Sequence, residues 1–207
     1  MSIIGTVSWP NKSLVLRKLL RRDSSVAGPI TLDRRRIYIL PTRSGFVFAL
    51  MLLAMLLGAV NYQNSLAFVL TFLLTGLALV SMFHTFRNLH GLTLRAGHPT
   101  PVFAGEPARF NIHIENSIGR HRFTLNLKLK KQSPVTLDVS PFDGQWLVLT
   151  LPSHKRGLLN PGRITVSTRF PLGLFYAWSY IHLSMPCLIY PQPAVQRGLP
   201  PELLDRQ

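Results

Sequence analysis

Acidic residues are scarce in this chain: Asp and Glu number 8 against 23 Lys and Arg, a formal net charge of +15 over 207 residues. That imbalance points to an anionic partner, of which lipid headgroups, nucleic acid and acidic proteins are the three classes. Nucleic-acid binding is not expected, because no basic module with interleaved exposed aromatics is visible. Cysteine is nearly missing too. Cys187 stands alone, which excludes an intrachain disulfide. It opens an apolar run ending Ile189-Tyr190-Pro191, where a buried free thiol in a strand is the expectation. A β domain without disulfides agrees with a reducing compartment.

Sequence signatures of catalysis are absent as well. There is no Gly-x-x-x-x-Gly-Lys-Ser/Thr phosphate loop, no Gly-x-Ser-x-Gly elbow and no cysteine cluster. The seven histidines (His84, His90, His98, His113, His121, His154, His182) include no pair four apart with a nearby Glu. His113 and His182 are read as solvated. A metal site assembled from distant strands is the rarer alternative. Glu106 and Glu115 straddle a strand and suit solvated faces better than acid–base work. No catalytic residue, metal ligand or cofactor is therefore expected, and the chain is read as non-enzymatic.

Charge of either sign is missing from two whole stretches, Gly45 to Val60 and Leu66 to Phe83. Crossing a hydrocarbon core takes about 20 residues, with a working range near 17–25. The second stretch qualifies directly. The first does so if Ser44 and Asn61-Tyr62 extend it, with Thr42 or Ser44 as the cap. Neither carries a polar stripe at helical spacing, so each is apolar all round. The polar, uncharged Asn61-Tyr62-Gln63-Asn64-Ser65 reads as the turn of a helical hairpin over residues 44–86. All 9 cations before this region and all 14 after it lie outside the apolar stretches. The positive-inside rule then places both termini in the cytoplasm and the turn outside.

Residues 1–43 read as a basic cytoplasmic segment. Leu16, Leu19 and Leu20 can share one helical face while Arg17, Lys18, Arg21 and Arg22 occupy the other, an arrangement that can lie on anionic headgroups. A solvated tail is the alternative for so short a helix. Arg34, Arg35, Arg36 and Arg43 complete the candidate headgroup contacts. Membrane lipids are thus the first expected partner.

From Leu92 the period becomes two. Phe110, Ile112 and Ile114 alternate with polar residues, as do Phe123, Leu125, Leu127 and Leu129, the pattern of half-buried strands. Turn signals at Ser117–Gly119, Phe142-Asp143-Gly144 and Asn160-Pro161-Gly162 separate the strands. About seven short strands over residues 92–193 predict an immunoglobulin-like antiparallel β-sandwich. Residues 194–207 read as a linker or tail. Within Phe170-Pro171-Leu172-Gly173-Leu174-Phe175, Pro171 and Gly173 break the strand, and aromatics including Trp178 crowd around the break. Sandwich core with a rigid bulge is one reading. An exposed patch for a protein partner, through Phe170, Pro171, Leu172, Gly173, Leu174, Phe175 and Trp178, is the other.

Several of these motifs occur together in one order. Tyr38-Ile39-Leu40-Pro41-Thr42-Arg43-Ser44-Gly45 precedes a hairpin with an Asn-Tyr-Gln-Asn turn. Val102-Phe103-Ala104-Gly105-Glu106, Lys155-Arg156-Gly157, Phe170 to Phe175 with Ala177-Trp178, and Ile189-Tyr190-Pro191 follow. In that order the set, from about Arg36 to Pro193, resembles the bacterial "domain of unknown function 58" membrane proteins. The resemblance implies the bacterial inner membrane and a setting beside a MoxR-type AAA+ ATPase and a transglutaminase-like membrane protein. It also implies a C-terminal von Willebrand factor A-like half with a possible metal site, which would begin where this sequence reaches Gln207. The function expected is a membrane-anchored scaffold or assembly factor presenting a cytoplasmic sandwich to a partner. The alternatives are a basic lipid-surface or polyanion binder and a fragment of a larger metal-dependent protein.

Overall fold

A computed structural model describes residues 28–129 and 132–192. The helical segment Leu16–Arg22 with its candidate contacts Arg17, Lys18, Arg21 and Arg22, and the tail after residue 193, lie outside the described residues.

The two uncharged stretches form helices long and apolar enough to cross a membrane, α1 (Arg43–Tyr62) and α2 (Ser65–Leu89). Thr42 starts α1: its Oγ1 accepts from Gly45 N at 3.1 Å, one of the bonds that an N-cap supplies to the first helical turn. The turn is tighter than the five polar residues suggested. Asn61 and Tyr62 stay helical, Gln63 takes the left-handed conformation at φ 48°, and Asn64 Oδ1 accepts from Leu66 N and Ala67 N. Two residues therefore reverse the chain, because Gln63 closes one helix and Asn64 opens the next. Small residues mark the buried side, among them Ala59 on α1 and Thr71 on α2, which lets the backbones approach. The hydroxyls of Thr71 and Thr75 donate back to carbonyls four residues earlier, so they need no solvent.

At 25 residues α2 exceeds α1, with 20, by five, or about 7.5 Å at 1.5 Å per residue. The excess at its C-terminal end reaches into a β domain. That domain has a four-stranded sheet in the order β1-β3-β5-β8 and a five-stranded sheet in the order β2-β11-β10-β6-β7. Their strands are β1 (Ile30–Thr31), β2 (Tyr38–Pro41), β3 (Leu92–Ala96), β5 (Pro107–Asn116), β6 (Arg122–Leu129), β7 (Val135–Val139), β8 (Gly144–Pro152), β10 (Arg163–Thr168) and β11 (Phe175–His182). A small third sheet joins β4 (Val102–Phe103), β12 (Cys187–Tyr190) and β9 (Gly157–Leu159), with β4 parallel to β12 and the other pairings antiparallel.

The core lies between the two larger sheets. Strand β5 contributes Ala108, Phe110, Ile112 and Ile114, facing Leu125, Leu127, Val166, Ala177 and Ile181 from the five-stranded sheet. Sandwich-like packing of this kind buries one face of each strand and leaves the other polar. Gly162, at φ 76°, supplies the left-handed residue that the Asn-Pro-Gly turn requires.

Two expectations change. The sequence pattern groups residues 30–41 with the basic N-terminal segment. Instead β1 pairs with β3, and β2 forms the edge of the five-stranded sheet against β11. The hairpin is therefore an insertion within the β domain, between β2 and β3. The second change is in β6. The register slips between Arg122, opposite Val139, and Leu125, opposite Leu137, and Thr124 sits at φ 50°. Three steps on β6 oppose two on β7, which is a β-bulge. The bulge resets the alternation, so Phe123 turns outward while both Arg122 and Leu125 are buried.

Candidate functional site

The N-terminal end of α1 and the C-terminal end of α2 both rest on the β domain, where Leu89 of α2 joins the core and a set of hydrogen bonds surrounds it. The loop from Phe170 to Leu174, joining β10 to β11, lies across the two helix ends. Thr42 Oγ1 donates to the carbonyls of Gly173 at 2.7 Å and Leu174 at 3.1 Å, and Thr42 N donates to Leu174 O at 2.9 Å. On the other side Thr85 Oγ1 donates to Phe170 O at 2.8 Å. Gly45 is required here: a Cβ at this position would meet Leu174 O at 2.0 Å, inside contact distance. The Phe-Pro-Leu-Gly-Leu-Phe stretch thus offers its carbonyls as a socket for both helices.

Asn88, in the last turn of α2, completes a strand-like pair with the bulge. Its Nδ2 donates to Phe123 O at 2.7 Å and Thr168 Oγ1 at 2.9 Å, and its Oδ1 accepts from Phe123 N at 3.1 Å. The bulge frees the Phe123 backbone from the ladder, and Asn88 supplies what the neighbouring strand does not.

Arg122 is 2% exposed. Its Nη1 donates to Arg87 O, its Nη2 to His90 O at 2.8 Å, and its Nε to Asn116 Oδ1 at 3.2 Å. The guanidinium therefore closes the C-terminal end of α2, where carbonyls lack helical partners and the helix dipole is negative. Asn116 takes the next inward position after Ile114 on β5, and its Nδ2 is used by Arg120 O and Ser140 O. Burial, then the charges of Arg120 and Arg87, press the Arg122 pKa below its ordinary value. The group stays cationic in spite of this, as guanidinium does in proteins.

Beside the foot of α1 a hollow of about 720 Å³ opens on the outer face of the five-stranded sheet. Tyr176, Trp178 and Tyr180 follow one another at every second position of β11, with Ala177, Ser179 and Ile181 turned into the core. Trp178 stacks on Tyr38 of β2 at 5.7 Å and on Tyr176 at 5.4 Å between ring centroids. Arg163 lies over the Tyr180 ring at 4.3 Å and Arg169 over Tyr176 at 5.4 Å. Arg43 and Lys128 also line the hollow, and among the described residues no carboxylate does. Cation–π contact of this kind holds an arginine in place while leaving its N–H groups free to bind.

The structure brings some of the expected site residues together. Arg43, Gly173 and Trp178, which belong to two separate expectations, share this hollow. Phe170 packs on Phe123 at 4.8 Å, Leu174 is buried, and Phe175 is half-buried opposite Pro41. Pro171 and Leu172 form the exposed tip of the loop. Arg34, Arg35 and Arg36 make one exposed 3-10 turn away from the hollow, with Arg34 beside Ile37 and the α2 residues Met82 and Phe86. Sequence reasoning missed Arg122, Asn88, Arg163 and Arg169. Asn116 carried a signal for the first of these, because it extends a buried register and must find partners there.

Cys187 is buried with its Sγ 3.4 Å from Thr100 O, and burial pushes its thiol pKa up. His113 packs on Trp146 at 4.8 Å. Among the described residues no group of three His, Cys, Asp or Glu side chains is placed to hold a metal ion.

No protein-family model matches this chain, and no curated protein matches it. Among solved structures, the CARDB domain of the PF1109 protein from Pyrococcus furiosus, in complex with di-metal ions, matches at 12% identity with a TM-score of 0.26. The match covers 45% of this chain and 93% of that one, a likeness too low to bear on fold or function.

Proposed function

We propose that the chain is a membrane-anchored, non-enzymatic scaffold that holds its β domain, read as immunoglobulin-like, in a fixed pose for a protein partner. The helical hairpin spans the membrane, Gln63-Asn64 turns outside, and the basic flanks and β domain face the cytoplasm. Large apolar side chains are exposed along both helices, from Phe46, Leu50 and Leu57 to Leu66, Phe72 and Leu79. Water would leave that surface uncovered, whereas lipid covers it. The single observation that carries the scaffold reading is the junction: Thr42, Thr85, Asn88 and Arg122 tie both helix ends to the domain. A flexible tether needs no such bonds. By the ordered motifs set out above, the setting is the bacterial inner membrane and the partner a MoxR-type AAA+ ATPase, with a transglutaminase-like membrane protein beside it.

Capture of the full chain in mild detergent tests the partner: co-purification of an AAA+ ATPase supports the reading, and a chain that always comes alone sinks it. Topology is read separately by labelling Cys187, after unfolding, in intact cells and in inverted membranes. Labelling from the outer side alone refutes the orientation.

A further inference from the structure

The hollow on the outer sheet face has a composition that the scaffold reading does not use. Four cations, Arg43, Lys128, Arg163 and Arg169, surround it with no lining carboxylate among the described residues, in a domain that also contains Glu106, Glu115, Asp138 and Asp143. Two of the four are braced by aromatic rings, so their positions are set before any ligand arrives. The hollow lies in the angle between the sheet face and the first turn of α1, since Thr42, Arg43 and Ser44 form one wall. Leu40, exposed on the same side as Tyr176, continues that wall with an apolar surface. An anionic group on an apolar stem, approaching along α1, meets the apolar part first and the arginines beyond it.

We propose that this hollow binds the phosphate-bearing headgroup of an anionic phospholipid from the leaflet that surrounds the foot of α1. The proposal rests on the membrane reading above and adds a specific headgroup site to it. Charge complementarity selects an anion, and continuity with α1 selects the lipid over a soluble one. Arg43 and Arg169 flank the entrance on the helix side, next to Gly173. Arg163 and Lys128 lie farther along the sheet and receive the distal polar groups of the headgroup. Zwitterionic headgroups carry a cation that the four positive side chains repel.

Trp178 lies inside the hollow and reports its occupancy. In the full chain carrying Trp9→Phe and Trp146→Phe, it is the remaining tryptophan. Titration in detergent with phosphatidylglycerol is expected to change its emission saturably, and phosphatidylcholine is expected not to. Arg163→Gln with Arg169→Gln is expected to weaken the response about fivefold for each cation removed. Lys at both positions should restore most of it, which separates charge loss from misfolding. An equal response to phosphatidylcholine, or one unchanged by the Gln pair, overturns the proposal. So does saturation by inorganic phosphate alone at the same concentrations, which would make this a free-anion site. A response to polyglutamate without one to phosphatidylglycerol would make it a protein-docking face and equally refute it. Carbonate extraction of membranes reads the anchor independently. A chain that resists extraction while Trp178 ignores phosphatidylglycerol loses only the headgroup site, whereas a released chain loses both readings.

Discussion

Replacing Arg122 with Met removes the hydrogen bonds at the end of α2 while keeping an unbranched side chain of similar reach. Two opposing effects set the outcome. The buried guanidinium is costly to desolvate, and well-packed apolar replacements of buried ion pairs are often neutral or stabilising. Here, however, the acceptors are not removed with the cation. Arg87 O, His90 O and Asn116 Oδ1 remain, and an unsatisfied buried acceptor costs about 1–3 kcal/mol. A neighbouring hollow of about 370 Å³, lined by Arg87, Asn88 and Arg122, lets water reach part of the gap. Loss of one favourable charge at a helix C-terminus adds up to ~2 kcal/mol in a partly buried site. Relief of repulsion from Arg87 and Arg120 works the other way. The balance comes to about 3 kcal/mol of destabilisation, a large part of the ~5–15 kcal/mol available to a domain. With a urea dependence near 2 kcal/mol per molar, the midpoint should fall by about 1.5 M. The assay is urea unfolding of the full chain in detergent, followed by tryptophan emission. Amide exchange over Arg87–Leu92 should accelerate in the variant, because the last turn of α2 loses its closure. Arg122→Lys should be intermediate, since one ammonium cannot satisfy three acceptors spread about a planar fork. A Met variant as stable as the parent refutes the reasoning and makes Arg122 a tolerated cation rather than a clamp.

Gly45→Ala should destabilise by about 1–3 kcal/mol, as overpacking does, because its Cβ would lie 2.0 Å from Leu174 O. Gly58→Ala on the same helix meets nothing within 4 Å and serves as the control in the same melt. Asn88→Ala strands the Phe123 N–H and leaves its C=O only the longer bond from Thr168 Oγ1 at 3.5 Å; a cost of about 1–3 kcal/mol is expected, read by exchange of the Phe123 amide. Thr42→Val removes the cap of α1 and its bonds to the loop; a loss of about 1–2 kcal/mol is expected by the same urea assay. For Cys187, the folded chain holds the thiol proton more tightly than the unfolded chain, whose reference pKa is 9.0. Its contribution to stability is therefore full below that value and is lost as pH rises past it. Melting across pH 8 to about 10 should show a decline in the parent that Cys187→Ser lacks.

The parts of this molecule legible from sequence are those that depend on periodicity or on one side chain's local reach. Two charge-free runs of the right length gave the helices, the cap was narrowed to Thr42 or Ser44 and is Thr42, and the alternation through Phe110, Ile112 and Ile114 gave the buried face of β5. Alternation failed at β6 because one inserted residue, with Thr124 in the left-handed region, exchanges the two faces upstream of it. Phe123, which the pattern placed on the apolar face with Leu125, turns outward instead. The strands at 30–41 were hidden for a different reason. They are two and four residues long, and their partners lie beyond the hairpin, with Tyr38 opposite Trp178. No local pattern encodes a pairing over that separation. The socket was hidden because its acceptors are backbone carbonyls of Phe170, Gly173 and Leu174, which carry no side-chain signature. What sequence did supply there was Gly173 and Gly45, whose missing Cβ atoms permit the turn and the close approach.

The connectivity decides how much the domain can move relative to the hairpin. Strand β2 enters α1 through one residue, Thr42, and α2 leaves into β3 through His90 and Gly91. Strand β2 belongs to the five-stranded sheet and β3 to the four-stranded sheet, so the two helices are attached to opposite layers of one core. A domain hung from a single linker can swivel by changing a few backbone angles. Here a swivel would shear the two sheets against each other, and their packed interior resists that as one cooperative unit. The β10–β11 loop adds a bridge between the same helix ends, through Gly173 and Leu174 on one side and Phe170 on the other. Force applied to the domain is consequently transmitted to both helices, and a change in the packing of the hairpin is felt in both sheets. The weakest points of that transmission are the polar contacts rather than the core. Asn88 and Arg122 are the side chains whose replacement loosens the end of α2 from the five-stranded sheet.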